Sequence, residues 1–167
     1  MLSDQFTQTF RDEHRKIRDT LLELIQAFKE RDKSHILSLL NQAATYTGPH
    51  FRYEEEALYP ALIEIFGKDY IEKLLSDHDL AIGTALKLIE LSGKKPLTDY
   101  DITKAIQLVR NVLPHVSDCD GLSIMTEILS EEKIKWILET RDRSIKEGLN
   151  LIDWAYEVRT RQANVPK

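Results

Sequence analysis

The sequence predicts an all-α fold: an up-down-up-down four-helix bundle with an extra helical segment at its C-terminal end. Three observations lead there. Apolar residues recur at steps of three and four along each long segment, no segment alternates with the period of a strand, and Gly and Pro are few, six and five among 167 residues. A hydrophobic share of 42% beside 31% charged residues suits a single domain rich in amphipathic helix.

The first helix is expected over about Ser3 to Arg31, where Phe10, His14, Ile17, Leu21, Leu24 and Phe28 form an apolar seam that carries one histidine inward. The second runs from Lys33 to about Phe66, interrupted at Gly48-Pro49 and at Pro60. Its seam is Ile36, Leu40, Ala43, Thr47, His50, Glu54, Ala57 and Ala61, so His50 and Glu54 share the inward face one turn apart. Gly67 supplies a stop. The third, about Asp69 to Leu91, places Ile71, Leu74, His78, Ala85 and Leu88 inward before Ser92 to Pro96 break it. The fourth begins near Thr98, with Ile102, Ala105, Val109, Val112 and His115 along one side. Ser130, followed by Glu131 and Glu132, is a good N-cap for a fifth segment that continues to about Gln162 and is bent or divided at Gly148-Leu149-Asn150. Residues 1–129 are thus read as the bundle and 130–167 as an extension packed on the same domain. The apolar stripe of that extension, with Trp136 and Trp154, covers the bundle; left exposed, it would mark a homodimer or partner interface.

The chain repeats itself. Setting His14 on His78 pairs Thr20 with Thr84, Leu22 with Leu86 and Ile25 with Ile89, and brings His50 within one residue of His115. His50 and His115 each follow a proline, Pro49 and Pro114. A proline in a helix interior costs roughly 3 kcal/mol, so its repetition beside a histidine calls for a reason. Two readings stand: a loosened turn that aims a side chain, or a kink that fits the helix round the core.

A lone inward histidine is ordinarily a core residue satisfied by one hydrogen bond. Four of them, one per helix, are costly to bury together and repel when protonated, unless a cation turns their neutral nitrogens into ligands. An inward Glu54 needs the same cation. Asp120, five residues after His115, lies about 500° round a regular helix and joins the set only if that turn is widened. His35, fifteen residues before His50 and so about 22 Å away, is excluded. Glu55 and Glu56 read as solvent-facing charge, and Cys119, at the +4 position that Glu54 holds in the other half, as a buried inert thiol or an occasional ligand. Tyr46 and Tyr53 read as packing residues within reach of a bound oxygen species. Mixed imidazole and carboxylate donors suit Fe, Mn, Zn or Co, and two carboxylates among four histidines suit a pair of metals.

The stretches Asp12 to Ile25 (DEHRKIRDTLLELI), His50 to Leu62 (HFRYEEEALYPAL), Asp77 to Ile89 (DHDLAIGTALKLI) and His115 to Asp120 (HVSDCD) resemble the four helix motifs of the hemerythrin-like, or HHE cation-binding, family. The resemblance implies that His14, His50, Glu54, His78, His115 and Asp120 hold two non-haem irons, oxo- or hydroxo-bridged, with Glu54 and Asp120 bridging and Mn or Zn as substitutes. It also implies binding or sensing of O2, NO or iron. The oxygen carriers of that family have a second histidine on the third helix, four residues from the first; here Leu74 and Ile82 stand at those distances from His78. About two coordination positions then remain, the extra one left to water or to a carboxylate such as Glu55, and either disfavours reversible oxygen carriage. The alternatives are a di-iron redox enzyme (oxidase, peroxidase or NO-reducing) at the same site, and a regulatory interaction module folded by metal.

Bulk properties bound the rest. One cysteine excludes an internal disulfide, a net charge of −5 with no basic stripe argues against nucleic acid, and no apolar run approaches a membrane span. The N-terminus is polar from its third residue, unlike a signal peptide. The expectation is a cytoplasmic protein.

Overall fold

The first amphipathic run folds as α1 (Leu2–Glu30), and the computed structural model describes residues 1–161 of the chain. Arg31 ends α1 in the left-handed region at φ 57°, with its N–H on Phe28 O, and Asp32 caps the next helix by accepting from His35 N at 3.1 Å. α2 (Lys33–Tyr53) passes through a π-turn (Glu54–Leu58) into α3 (Tyr59–Phe66), making one long rod that turns back at Gly67, φ 83°. α4 (Lys68–Ser92) and α5 (Asp99–Asp120) complete the bundle, the latter opened by a capping box of Thr98 and Asp101.

α1 packs on α2 and α5, and α4 packs on the same two, so the helices close a square with up-down-up-down topology. Along each rod the seam changes character once. Phe6 and Phe10 on α1, Tyr53 and Ala57 on the second rod, Ile71 and Leu74 on α4, and Cys119 and Leu122 near the end of α5 form one apolar half-core. Ile17, Leu21, Leu24, Ile36, Leu88 and Val109 belong to the other. The four seam histidines and Glu54 lie between the two as a buried polar layer across the waist.

After α5 the chain adds α6 (Leu122–Met125), a 3-10 turn (Thr126–Ile128), α7 (Glu131–Glu147) capped by Ser130, and α8 (Leu151–Glu157) capped by Asn150. Gly148, left-handed at φ 66°, divides α7 from α8. α7 and α8 both pack on α2, and Ile134, Ile137, Leu151 and Trp154 are buried. The approach at α2 is close: a Cβ on Gly48 would sit 2.3 Å from Leu149 O and 2.8 Å from Leu151 N. Gly48 is therefore the notch that seats the α7–α8 connection.

Three expectations need correction. The widened turn falls at Glu54–Leu58, where Tyr59 N–H reaches back to Glu54 O and Pro60 has no N–H to continue the α ladder; α5 stays α-helical through Pro114 to Asp120. The last helix among the described residues ends at Glu157, and Arg159 beyond it turns inward to Glu55 and Asp79; Gln162 lies outside the described residues. Trp154 covers the bundle, but Trp136 is 44% exposed. No helix among the described residues is long and apolar enough to cross a membrane.

Candidate metal centre

The seam register carries His14, His50, His78, His115 and Glu54 to one level of the bundle, and all five are buried. Glu54 lies in the middle. Its Oε1 is 3.2 Å from His50 Nε2 and 3.9 Å from His14 Nε2, and its Oε2 is 3.0 Å from His78 Nε2. Two groups of ligand-type atoms meet there, His14–Glu54–Cys119 and Glu54–His78–His115, each with its atoms within 4.8 Å of one another. Glu54 belongs to both, with His50 beside the first.

Every imidazole is oriented through its other nitrogen. His14 Nδ1 donates to Phe10 O at 2.9 Å, His50 Nδ1 pairs with Glu13 Oε2 at 2.8 Å, His78 Nδ1 with Glu55 Oε1 at 2.9 Å, and His115 Nδ1 with Asp77 Oδ2 at 3.2 Å. With the Nδ1 proton so engaged, a neutral ring turns its Nε2 lone pair toward the centre, the arrangement by which proteins present imidazole to metals. The duplication recurs in the supports: the acid just before the first histidine of each helix pair, Glu13 or Asp77, holds the second histidine of that pair.

This donor set fits a cation. His14 Nε2 and His50 Nε2 are 3.2 Å apart, and with both Nδ1 atoms donating elsewhere two neutral rings would face each other lone pair to lone pair. A shared proton or a metal relieves that contact. The electrostatics agree. Burial opposes the charge of Glu54, but His50 and His78 overcome it and hold its carboxyl well below the usual range. Burial likewise works against a charged His50, yet Glu54 and Glu13 raise it to about 10. Burial, with the charge of His50, lowers His14 to about 3, and burial with that of His78 lowers His115.

Asp120 is placed differently from the other five. Its Oδ1 lies 3.6 Å from His14 Nδ1, the nitrogen turned away from the centre, and is buried with no hydrogen-bond partner among the described residues. Cys119 occupies the inward position beside it, its Sγ donating to Glu54 Oε1 at 2.8 Å. Burial and the nearby Glu54 push that thiol well up. Glu55, expected in solvent, is 10% exposed at its side chain and supports His78; the π-turn swings it inward. Glu56 stays outside against Arg52 at 3.0 Å, and His35 is a surface residue beside Glu23 at 3.4 Å.

Sequence reasoning passes over Tyr59, whose hydroxyl lies 3.1 Å from His78 Nε2 and 3.3 Å from Glu54 Oε2. Tyr53, read as packing, donates to Glu13 Oε2 at 2.6 Å. The signal for Glu13 and Asp77 is visible in the chain, an acid directly before His14 and before His78. Nothing in one dimension announces Tyr59. Leu74 and Ile82 are both buried beside His78 as apolar packing.

An apolar cavity of about 70 Å³ opens off the centre, with His14, His50 and His115 in its wall and Leu24, Leu88 and Val109 further along. A family model, the hemerythrin HHE cation binding domain, matches residues 5–118, which include the four inward histidines and Glu54 but stop short of Cys119 and of α6–α8. No curated protein and no solved structure matches the chain.

Proposed function

The chain belongs to the hemerythrin HHE cation-binding family, and on that premise we propose that it is a non-haem di-iron protein that binds or senses O2, NO or iron, rather than one that turns over a substrate. The observation that carries the reading is the Glu54 carboxylate, approached by imidazole Nε2 atoms at both oxygens. Oε1 faces His14 and His50, Oε2 faces His78, and His115 groups with Glu54 and His78. A pair of irons bound there would supply reversible one-electron chemistry and open positions for a diatomic ligand.

The chain's own groups do the rest. The acceptors at Nδ1, three carboxylates and the Phe10 carbonyl, fix each ring's tautomer and tilt before any ion arrives. The mostly apolar lining of the cavity favours a small uncharged guest over a polar one. Tyr59, whose proton burial and the neighbouring Cys119 and Glu54 hold firmly, keeps an O–H donor beside Glu54 and His78. Asp120 would join as a ligand only after its carboxylate swings from the Nδ1 side of His14 to the Nε2 side; in the present geometry Cys119 is the nearer group.

The test is anaerobic loading with Fe(II), metal analysis, and optical spectra before and after air or NO. The reading expects two irons per chain and a spectrum that changes once with each gas. A chain that stays folded yet retains no transition metal would overturn it, and sustained consumption of NO or peroxide over many turnovers per site would replace binding with catalysis.

A further inference from the structure

The extension α6–α8 lies outside the matched family segment, yet it sends two arginines to the supports of the histidines. Arg141 on α7 donates through Nε to Glu13 Oε1, while Oε2 of the same carboxylate holds His50 Nδ1 at 2.8 Å. Arg159, two residues past α8, grips Glu55 with Nη2 at 2.7 Å and Nε at 3.0 Å, and Glu55 Oε1 holds His78 Nδ1 at 2.9 Å. Its remaining Nη1 donates to Asp79 Oδ1 at 2.7 Å, and the side chain is 1% exposed.

Such contacts are hard to explain as surface decoration. Burying a guanidinium costs several kcal/mol unless its geometry is fully satisfied, and a cover for the bundle needs only apolar contacts, which Ile137, Leu151 and Trp154 already make. Both arginines end on carboxylates whose other bond goes to a histidine of the centre. The two lines also reach opposite sides of Glu54, one through His50 and one through His78.

We propose that the C-terminal extension tunes the metal centre through two relays, Arg141–Glu13–His50 and Arg159–Glu55–His78, in which the arginines are positioning residues that set how strongly each imidazole donates. The proposal rests on the di-metal reading above. The direction comes from charge. An arginine on the far side of a carboxylate draws its electron density away, weakens its pull on the Nδ1 proton, and leaves the imidazole a poorer donor. Removing the arginine strengthens that pull and also removes a nearby positive charge, and both effects favour the more oxidised metal.

The experiment compares iron-loaded parent, Arg141→Gln, Arg159→Gln, the conservative Arg141→Lys and Arg159→Lys, and Arg143→Gln. Arg143, also on α7, is 55% exposed at its side chain and among the described residues pairs with Glu56 alone, at 3.6 Å, so it controls for loss of a charge from that helix. Each glutamine variant should keep the parent's metal content and show a lower midpoint potential, by about tenfold in relative affinity, or about 59 mV for one electron. The lysine variants should recover part of the shift, and Co(II)-loaded samples should show displaced ligand-field bands in the glutamine variants alone. Potentials and bands that match the parent in both glutamine variants would overturn the proposal while leaving the metal site standing, as would an equal shift in Arg143→Gln. A parent that takes up no metal would overturn the site and the relays together. If Arg159→Gln fails to fold, Arg141→Gln decides the matter, since Arg141 lies nearer the surface.

Discussion

Replacing Gly48 by alanine sets two effects of opposite sign against each other. Within an α-helix the change should help, because alanine exceeds glycine in helix propensity by about 1 kcal/mol. At this position the added Cβ meets backbone rather than a yielding side chain: Leu149 O at 2.3 Å, Asn150 C at 2.6 Å and Leu151 N at 2.8 Å. Restoring ordinary contact near 3.5 Å requires the α7–α8 connection to retreat by about 1 Å, which lifts Leu151 and Trp154 from their buried places. Overpacking of that kind costs about 1–3 kcal/mol, and a backbone clash belongs at the upper end. The net expectation is a loss of about 2 kcal/mol, which lowers the Tm of a chain this size by roughly 4–8 °C. Gly83 on α4 is the control, since a Cβ there meets nothing within 4 Å; Gly83→Ala should gain up to about 1 kcal/mol. Urea denaturation followed by far-UV circular dichroism, with the fluorescence of Trp154 and Trp136 as a second probe, measures both. Stabilisation of the Gly48 variant to the same degree as the Gly83 variant would refute the reasoning.

His50→Ala and His115→Ala should each lower metal content sharply, with His35→Ala unchanged; two metals per chain in both site variants would refute the assignment. Cys119, fully buried with its thiol raised by burial and Glu54, should react with a disulfide reagent at least about a hundredfold more slowly in the folded chain than in denaturant; comparable rates would mean that the centre is open to solvent. Asp101 is held at about 2 by Lys94 and by its bonds to Thr98, below the 3.8 of a free aspartate. Its contribution to stability is therefore complete above about pH 4 and is lost as pH falls toward 2, so the steepness of Tm against pH in that window should decrease in Asp101→Asn. An identical slope in that variant would show that other carboxylates govern acid unfolding.

Helical register makes most of this legible. Steps of three and four place His14, His50, His78 and His115 inward because 3.6 residues per turn leaves a seam residue no other direction, and Glu54 comes one turn after His50. The same arithmetic puts Asp120 off the seam, and the regular α5 helix does leave it on the Nδ1 side of His14. Glu55 departs from its expected place in solvent for a local reason. The π-turn inserts one extra residue, which rotates the rod beyond it by about 100°, and a straight-helix projection has no means to show that. Prolines signal a disturbance without locating it, since Pro49, Pro60 and Pro114 all lie in these rods and only the turn before Pro60 widens. The arginines lie beyond sequence reasoning altogether. Arg141 and Arg159 look like ordinary charges on amphipathic segments, and their partners are fixed by how α7 packs on α1 and α2 and α8 on α2 and α4.

The polar layer at mid-length has a consequence for alignment. Each rod crosses that layer once, with oily residues both above and below it. Sliding α1 or α4 by one turn, about 5.4 Å, would move an imidazole into hydrocarbon and bring Phe10 or Leu74 toward Glu54. Four stacks of interchangeable apolar side chains could settle at several heights; a single row of nitrogen and oxygen atoms permits one. The waist therefore works as an index mark, fixing the relative heights of the rods during assembly before any ion is held there.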